Sequence, residues 1–258
     1  VSSDSTTDSP FRSERTIRDE APQFVLPLVV RIEKAAPPAR TDALETAARA
    51  VLAMLSDERS LGEGESEGEW ARAIREWQDA RIRKVVRRAR GAEWRRATTL
   101  PGLTLTGTGA DTETSSAALV RVFPPVPLDG WPKELAKLQV SGTELDDPAP
   151  PPAPAPGVPV LWLSPDLDMT AGKAMAQTGH GAQLLWWELD DKEREAWREA
   201  GFPLAVRTAP PARWRQLIAG DGPLVRDAGF TEIAPGLTVA AEWRRPAGDG
   251  ISPSADRR

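Results

Sequence analysis

A single histidine, His180, serves a chain of 258 residues, so imidazole chemistry happens beside it or nowhere. The stretch around it reads Asp166-Leu-Asp-Met-Thr-Ala-Gly-Lys-Ala-Met-Ala-Gln-Thr-Gly-His-Gly-Ala-Gln183. Thr170 can accept from a backbone N–H that opens a helix, and Ala171 through Trp187 then runs without proline and rich in helix formers. At about 3.6 residues per turn, Lys173, Gln177, His180 and Gly181 share one face, with Met175, Ala182, Leu185 and Trp186 as apolar flanks. A cation, an amide and an imidazole therefore line up in a row. The same row fits a partly buried helix in which Lys173 snorkels outward and His180 is only hydrogen-bonded. A phosphate loop is excluded, because the glycine required five positions before Gly172 is replaced by Leu167.

A second block lies downstream, Val225-Arg-Asp-Ala-Gly-Phe-Thr-Glu-Ile-Ala-Pro-Gly236, followed by Leu-Thr-Val. Taken alone, Asp227 fits a turn-forming aspartate ahead of Ala-Gly and Thr231 a strand-start threonine. Together with Asp-Leu-x-Met-x-x-Gly-Lys-x-x-Ala-Gln-x-x-His upstream, the pair of blocks resembles the archaeal-type (class II) peptidyl-tRNA hydrolases over about Val158 to Pro246. The resemblance implies hydrolysis of the ester of peptidyl-tRNA, or of aminoacyl-tRNA, with release of free tRNA and with no cofactor or metal. Matching positions make Lys173, Asp227 and Thr231 the catalytic candidates. Asp227 would orient or deprotonate water, Lys173 would lower its pKa and stabilise negative charge, and Thr231 would donate a hydrogen bond. Gln177 and His180 match the positions that place substrate or water.

The chain departs from the family pattern at several places. Phe230 stands where an arginine is usual, Glu232 replaces a glutamine and Thr178 a cysteine, while Ser164-Pro165 occupy the place of another arginine. Two side chains that would meet phosphates are thereby missing. The basic run Arg81, Arg83, Lys84, Arg87, Arg88, Arg90, Arg95 and Arg96, opposed only by Glu93, is the concentration of cations that could replace them. Arg83, Lys84, Arg87 and Arg88 are the candidate tRNA contacts, although the run equally fits a solvated helix and strand face. A formal charge of −5 argues mildly against a nucleic-acid surface elsewhere. A binding protein without turnover, or a regulatory protein with an idle pocket, are the other function classes compatible with these residues.

Composition is that of a globular chain, with 40% hydrophobic and 28% charged residues. No run of about eighteen apolar residues occurs and the first residues are polar, so the expectation is a cytoplasmic protein with neither membrane span nor signal peptide. The absence of cysteine removes disulfides, thiolate nucleophiles and cysteine zinc sites. Residues 1–21 and 247–258 have the composition of disordered tails. Pro148 to Gly157 favours an extended polyproline spacer, dividing a domain over 22–147 from one over 158–246.

The two halves resemble each other. Val85-Val-Arg-Arg-Ala-Arg-Gly-Ala-Glu-Trp-Arg matches Ala205-Val-Arg-Thr-Ala-Pro-Pro-Ala-Arg-Trp-Arg, a strand turning into a helix in each case. Leu26 to Ile32 with a helix over 42–55 parallels the strand 158–163 with the helix 171–187, and Leu119 to Pro124 parallels Leu237 to Pro246. In the second half the expected order continues with helix 190–200, strand 202–208, helix 211–219, an irregular Asp-Ala-Gly turn and strand 237–244. Asp190 and Glu193 suit a capping box, and Gly201 a helix stop. This alternation predicts an α/β sandwich with a mostly parallel sheet. The family resemblance implies a three-layer α/β/α sandwich over a four-stranded mixed sheet, here present twice as a tandem pseudo-dimer that leaves room for a further homo-oligomer. In an ungapped register Lys173, Gln177 and His180 correspond to Thr41, Glu45 and Ala48, so the first copy cannot run the same chemistry.

Overall fold

The computed structural model describes residues 23–109, 115–227 and 235–243. It contains two α/β units of the same topology. In the first, β1 (Phe24–Arg31) leads into α1 (Arg40–Ser56) and α2 (Ala71–Asp79), then β2 (Lys84–Ala89), α3 (Gly91–Ala97), β3 (Leu103–Thr106), β4 (Leu119–Val122), the short β5 (Val126–Pro127) and α4 (Lys133–Ala136). In the second, β6 (Val160–Leu163) leads into α5 (Ala171–Trp187) and α6 (Asp191–Glu199), then β7 (Ala205–Thr208), α7 (Pro211–Ile218), β8 (Leu224–Asp227) and β9 (Gly236–Glu242).

The strand order is β2-β1-β4-β3 in one sheet and β7-β6-β9-β8 in the other. Each contains one parallel pair, β1 with β2 and β6 with β7, and the remaining pairs are antiparallel. Both sheets are thus mixed rather than mostly parallel, since only the helical crossover from β1 to β2, or β6 to β7, brings strands together in the same direction. The first sheet has a fifth strand because β5 pairs with the start of β1, Phe24 opposite Pro127 and Val25 opposite Val126. Residues 224–227 form the edge strand β8, whose register slips between Val225 and Arg226; of the expected Asp-Ala-Gly turn, Asp227 ends this strand, while Ala228 and Gly229 lie outside the described residues.

Strand alternation sorts the core into layers. Leu26, Leu28 and Val30 of β1 join the large cluster around α1 and α5, while Val29 points to the smaller cluster of Trp94, Ala97, Leu135 and Leu138 beneath α3 and α4. In β6, Leu161 and Leu163 face the large cluster and Trp162 packs with Trp214 of α7 and Ala240. The large cluster runs through both units without a break. Helices α1 and α5 pack on one another between the sheets, and each also reaches across, α1 to β7 and α5 to β2. The units therefore share a buried helical face.

Between them the chain is fastened rather than loose. Asp147 accepts from the backbone N–H and the hydroxyl of Thr41 at 2.8 and 2.7 Å, placing a carboxylate at the positive end of α1. Thr143 O accepts from Ala171 N at 3.0 Å at the start of α5. Farther on, Arg207 holds the carbonyl of Pro152 at 2.9 and 2.7 Å. No helix among the described residues is long and apolar enough to cross a membrane.

Candidate functional site

Helix α5 supplies three of the expected site residues because its start is well defined. Thr170 Oγ1 accepts from Lys173 N at 3.3 Å, and the helix then covers Ala171–Trp187. Its glycines set how closely neighbours approach. A Cβ at Gly179 would lie 2.9 Å from Val51 Cγ2 of α1, and one at Gly181 would lie 2.8 Å from Val239 Cγ1 of β9. The helix is therefore clamped on two sides, which fixes the direction of Lys173, Gln177 and His180.

At the end of β8, Asp227 faces this row. Lys173 Nζ donates to Asp227 Oδ2 at 2.5 Å, and Gln177 Nε2 donates to the same oxygen at 2.8 Å. The lysine and aspartate side chains keep only 12% and 11% of their surface exposed, so the pair lies mostly out of solvent and its attraction is poorly screened. Because a carboxylate oxygen only accepts, the Gln177 amide nitrogen belongs on the Asp227 side and its oxygen on the other. That oxygen accepts from the hydroxyl of Thr238 at 2.7 Å, at the fully buried middle of β9. Lys173, Gln177, Asp227 and Thr238 form one connected network.

The network borders a cleft of about 430 Å³ between the two units. Lys173, Gln177, His180, Arg226 and Asp227 line it from the second unit, and from the first Arg81, Ile82 and Arg83 of the turn ahead of β2, with Lys84 at the start of that strand. Apolar side chains including Val86, Val140, Leu184 and Leu224 complete the walls. Among the described residues Asp227 is the one carboxylate in this lining, against the cations Arg81, Arg83, Lys84, Lys173 and Arg226. An anionic ligand with an apolar part is the kind of molecule such walls favour.

The chain matches no protein-family model and no solved structure. Its chemistry has to be argued from its own atoms. Lys173, Gln177 and Asp227 come together, and His180 lines the same cleft one turn beyond Gln177. Thr231 lies outside the described residues. Among the described residues no group of three or more His, Asp and Glu could hold a metal ion.

The basic run divides. Arg83 and Lys84 both line the cleft, but Lys84 is only 8% exposed and its ammonium is taken up internally, 3.2 Å from His180 Nδ1 and 2.6 Å from Gln183 Oε1. Arg87 stacks on Trp131 and donates to the carbonyls of Ala136 and Leu138 at 3.2 and 2.5 Å. Arg88 is bound by the Gln139 side chain and by Ser141 O. These two guanidinium groups fasten the segment 136–141 to β2 and do not line the cleft. Burial is the first cause holding the His180 imidazole well below its usual pKa, followed by the positive charges of Lys84 and Lys173. Burial likewise lowers Lys84 well below an ordinary lysine.

The corresponding place in the first unit is filled by the chain itself. Thr41 is bound to Asp147, Glu45 pairs with Arg207 of the second unit at 2.7 Å, and Ala48 is buried. Asp42 accepts from Thr108 N and Ala118 N, both at 2.8 Å, closing the loop beside α1. Thr238 and Lys84 are the cleft-network residues that local sequence pattern did not single out for these positions. A threonine in mid-strand and a lysine in a basic run carry no local mark of where their side chains end.

Proposed function

We propose that the chain hydrolyses the ester joining a peptide, or an amino acid, to the terminal ribose of tRNA, in the manner of the class II peptidyl-tRNA hydrolases it resembles, and that it does so in the cytoplasm. The observation that carries this reading is the convergence of Lys173 and Gln177 on Asp227 Oδ2 beside a cleft rimmed by arginines.

In this mechanism a water oxygen attacks the acyl carbon, the ribose oxygen leaves with a proton, and the products are a free carboxylic acid and tRNA with a free hydroxyl. Asp227 orients the water and takes its proton. Lys173, already positioned by the carboxylate, stabilises the negative charge that develops on the acyl oxygen, where a preorganised cation in a poorly solvated site counts most. Gln177, fixed by Thr238, holds the carboxylate in place. Thr231 joins these residues on the sequence pattern, as a hydrogen-bond donor. Arg83 and Arg226 meet the phosphates that the two missing family arginines would otherwise contact.

The test is incubation of the purified chain with a peptidyl-tRNA and measurement of released tRNA. Release above the spontaneous rate is expected, and no release would overturn the hydrolase reading. A second reading is a non-hydrolytic binding protein for a tRNA end. The internal bonding of Lys84, Arg87 and Arg88 takes up three of the four candidate phosphate-binding side chains, which extends this second reading to another ester or amide ligand in place of the tRNA end. A chain that retards tRNA in a gel without releasing it would establish that alternative.

A further inference from the structure

Lys84 belongs to the first unit, yet its ammonium ends among residues of the second. Nζ lies 3.2 Å from Ile82 O, 2.6 Å from Gln183 Oε1 and 3.2 Å from His180 Nδ1. The Trp77 ring centroid is 4.8 Å away. Two of these polar neighbours are oxygens that can only accept. The third, Nδ1, accepts only when the imidazole proton sits on Nε2. An ammonium has three protons and no lone pair, so three acceptors match it. A neutral amine would instead need Nδ1 to be the donor.

Proton balance decides between the two. In water an amine holds its proton about four pH units more strongly than an imidazole, and the two groups here are in direct contact, Lys84 buried and His180 half-buried at the cleft wall. The face of Trp77 further favours a cation at Nζ. A single proton between the two therefore resides on Lys84. No carboxylate among the described residues bonds to either nitrogen, which leaves nothing to stabilise a second positive charge. The charges around His180 point the same way: Lys173 on its own helix, Arg81 and Arg83 before β2, and Arg226 on β8 are cationic. Asp227, the one carboxylate of the cleft among the described residues, is held by Lys173 and Gln177.

We propose that Lys84 of the first unit is a positioning residue for the second unit's site: by donating to Nδ1 it fixes His180 as a neutral imidazole whose proton, on Nε2, is a hydrogen-bond donor to the occupant of the cleft. His180 is then not a general base. The first unit, which lacks the site motifs, completes the site by supplying this lysine. Helix α5 is built to admit it, because a Cβ at Gly179 would lie 3.2 Å from Lys84 Cδ and 3.6 Å from its Cε. A glycine inside a helix is less favourable than alanine, and here it stands where the lysine stem crosses. The tautomer follows from the contacts of Lys84 and stands whether or not the cleft hydrolyses an ester.

The presence of one histidine makes the test direct. Nitrogen-15 and proton NMR of the uniformly labelled full chain reports a single imidazole without assignment. The expected result is an unprotonated Nδ1, a protonated Nε2, and no titration between about pH 8 and 5.5, where a free histidine changes charge. In Lys84→Met the donor is gone, and the imidazole is expected to populate both tautomers and titrate at least one pH unit closer to the ordinary histidine value of about 6.5. A proton on Nδ1 in the unaltered chain, or titration there with a midpoint near that ordinary value, overturns the proposal. If Lys84→Met does not fold, the tautomer and titration of the unaltered chain decide alone.

Discussion

Glu45 of α1 and Arg207 of β7 join the two units, with Glu45 Oε1 accepting from the guanidinium at 2.7 Å and from the backbone N–H of Val206 at 3.0 Å. The side chains are 16% and 13% exposed, so the pair is largely removed from solvent. Breaking a buried pair from one side costs about 3–5 kcal/mol, and partial exposure together with the Pro152 carbonyl on Arg207 reduces that. Glu45→Ala should therefore lower stability by about 2–3 kcal/mol in urea unfolding. A decrease below about 0.5 kcal/mol, typical of a surface position, would show that this pair does not hold the units together.

Gly179→Ala tests the crossing of α1, α5 and Lys84. Helix propensity alone predicts a gain of about 1 kcal/mol. The added methyl would stand 2.9 Å from Val51 Cγ2 in a packed interior, and overpacking of that kind costs about 1–3 kcal/mol. The variant should be less stable than the parent by thermal unfolding. A raised melting temperature would mean that the helices yield at this point.

The elements that frame the cleft were largely legible in the sequence. Thr170 as a cap and the proline-free run after it place α5 over Ala171–Trp187, and Asp190 with Glu193 forms the expected capping box at α6. The internal likeness of the halves anticipated two sheets of one topology. What escaped was set by distant contacts. Strand β8 has four residues and a slipped register, too short for alternation to announce it. Lys84 reads as one more solvated cation until β2 is laid against Gly179. Thr238 meets Gln177 across 61 positions, a pairing that no local period encodes.

The depressed His180 pKa has a consequence for stability. As pH falls through the unfolded value of about 6.5 the unfolded chain binds a proton on this residue and the folded chain does not. The stability that His180 contributes is complete above that value and is lost as pH falls toward the lower folded pKa. Between about pH 6.5 and 5.5 the unaltered chain should lose stability faster than His180→Asn, the slopes differing by up to about 1.4 kcal/mol per pH unit. Parallel curves would contradict an imidazole kept neutral in the folded chain.

Cations of the basic run should separate into two kinds. Replacing Arg83 and Arg226 with alanine is expected to weaken tRNA binding and to reduce the slope of log affinity against log salt by about one unit for each phosphate left without its arginine. Replacing Arg87 and Arg88 should leave that slope unchanged and lower thermal stability, because their guanidinium groups are bound to Ala136, Leu138, Gln139 and Ser141. The opposite pattern would place the phosphate path along β2 instead of at the cleft.

Asp227 carries the central claim, since it accepts from both Lys173 and Gln177 and is the one carboxylate among the described residues of the cleft. The most direct measurement is the rate of tRNA release from a peptidyl-tRNA by the unaltered chain and by Asp227→Asn, which keeps the shape of the side chain but removes its charge. The account predicts release well above the spontaneous rate for the unaltered chain and a fall of at least about 100-fold in the variant, the low end of what a positioned general base contributes. An unaltered chain no faster than spontaneous hydrolysis, or a variant within about threefold of it, would contradict the account.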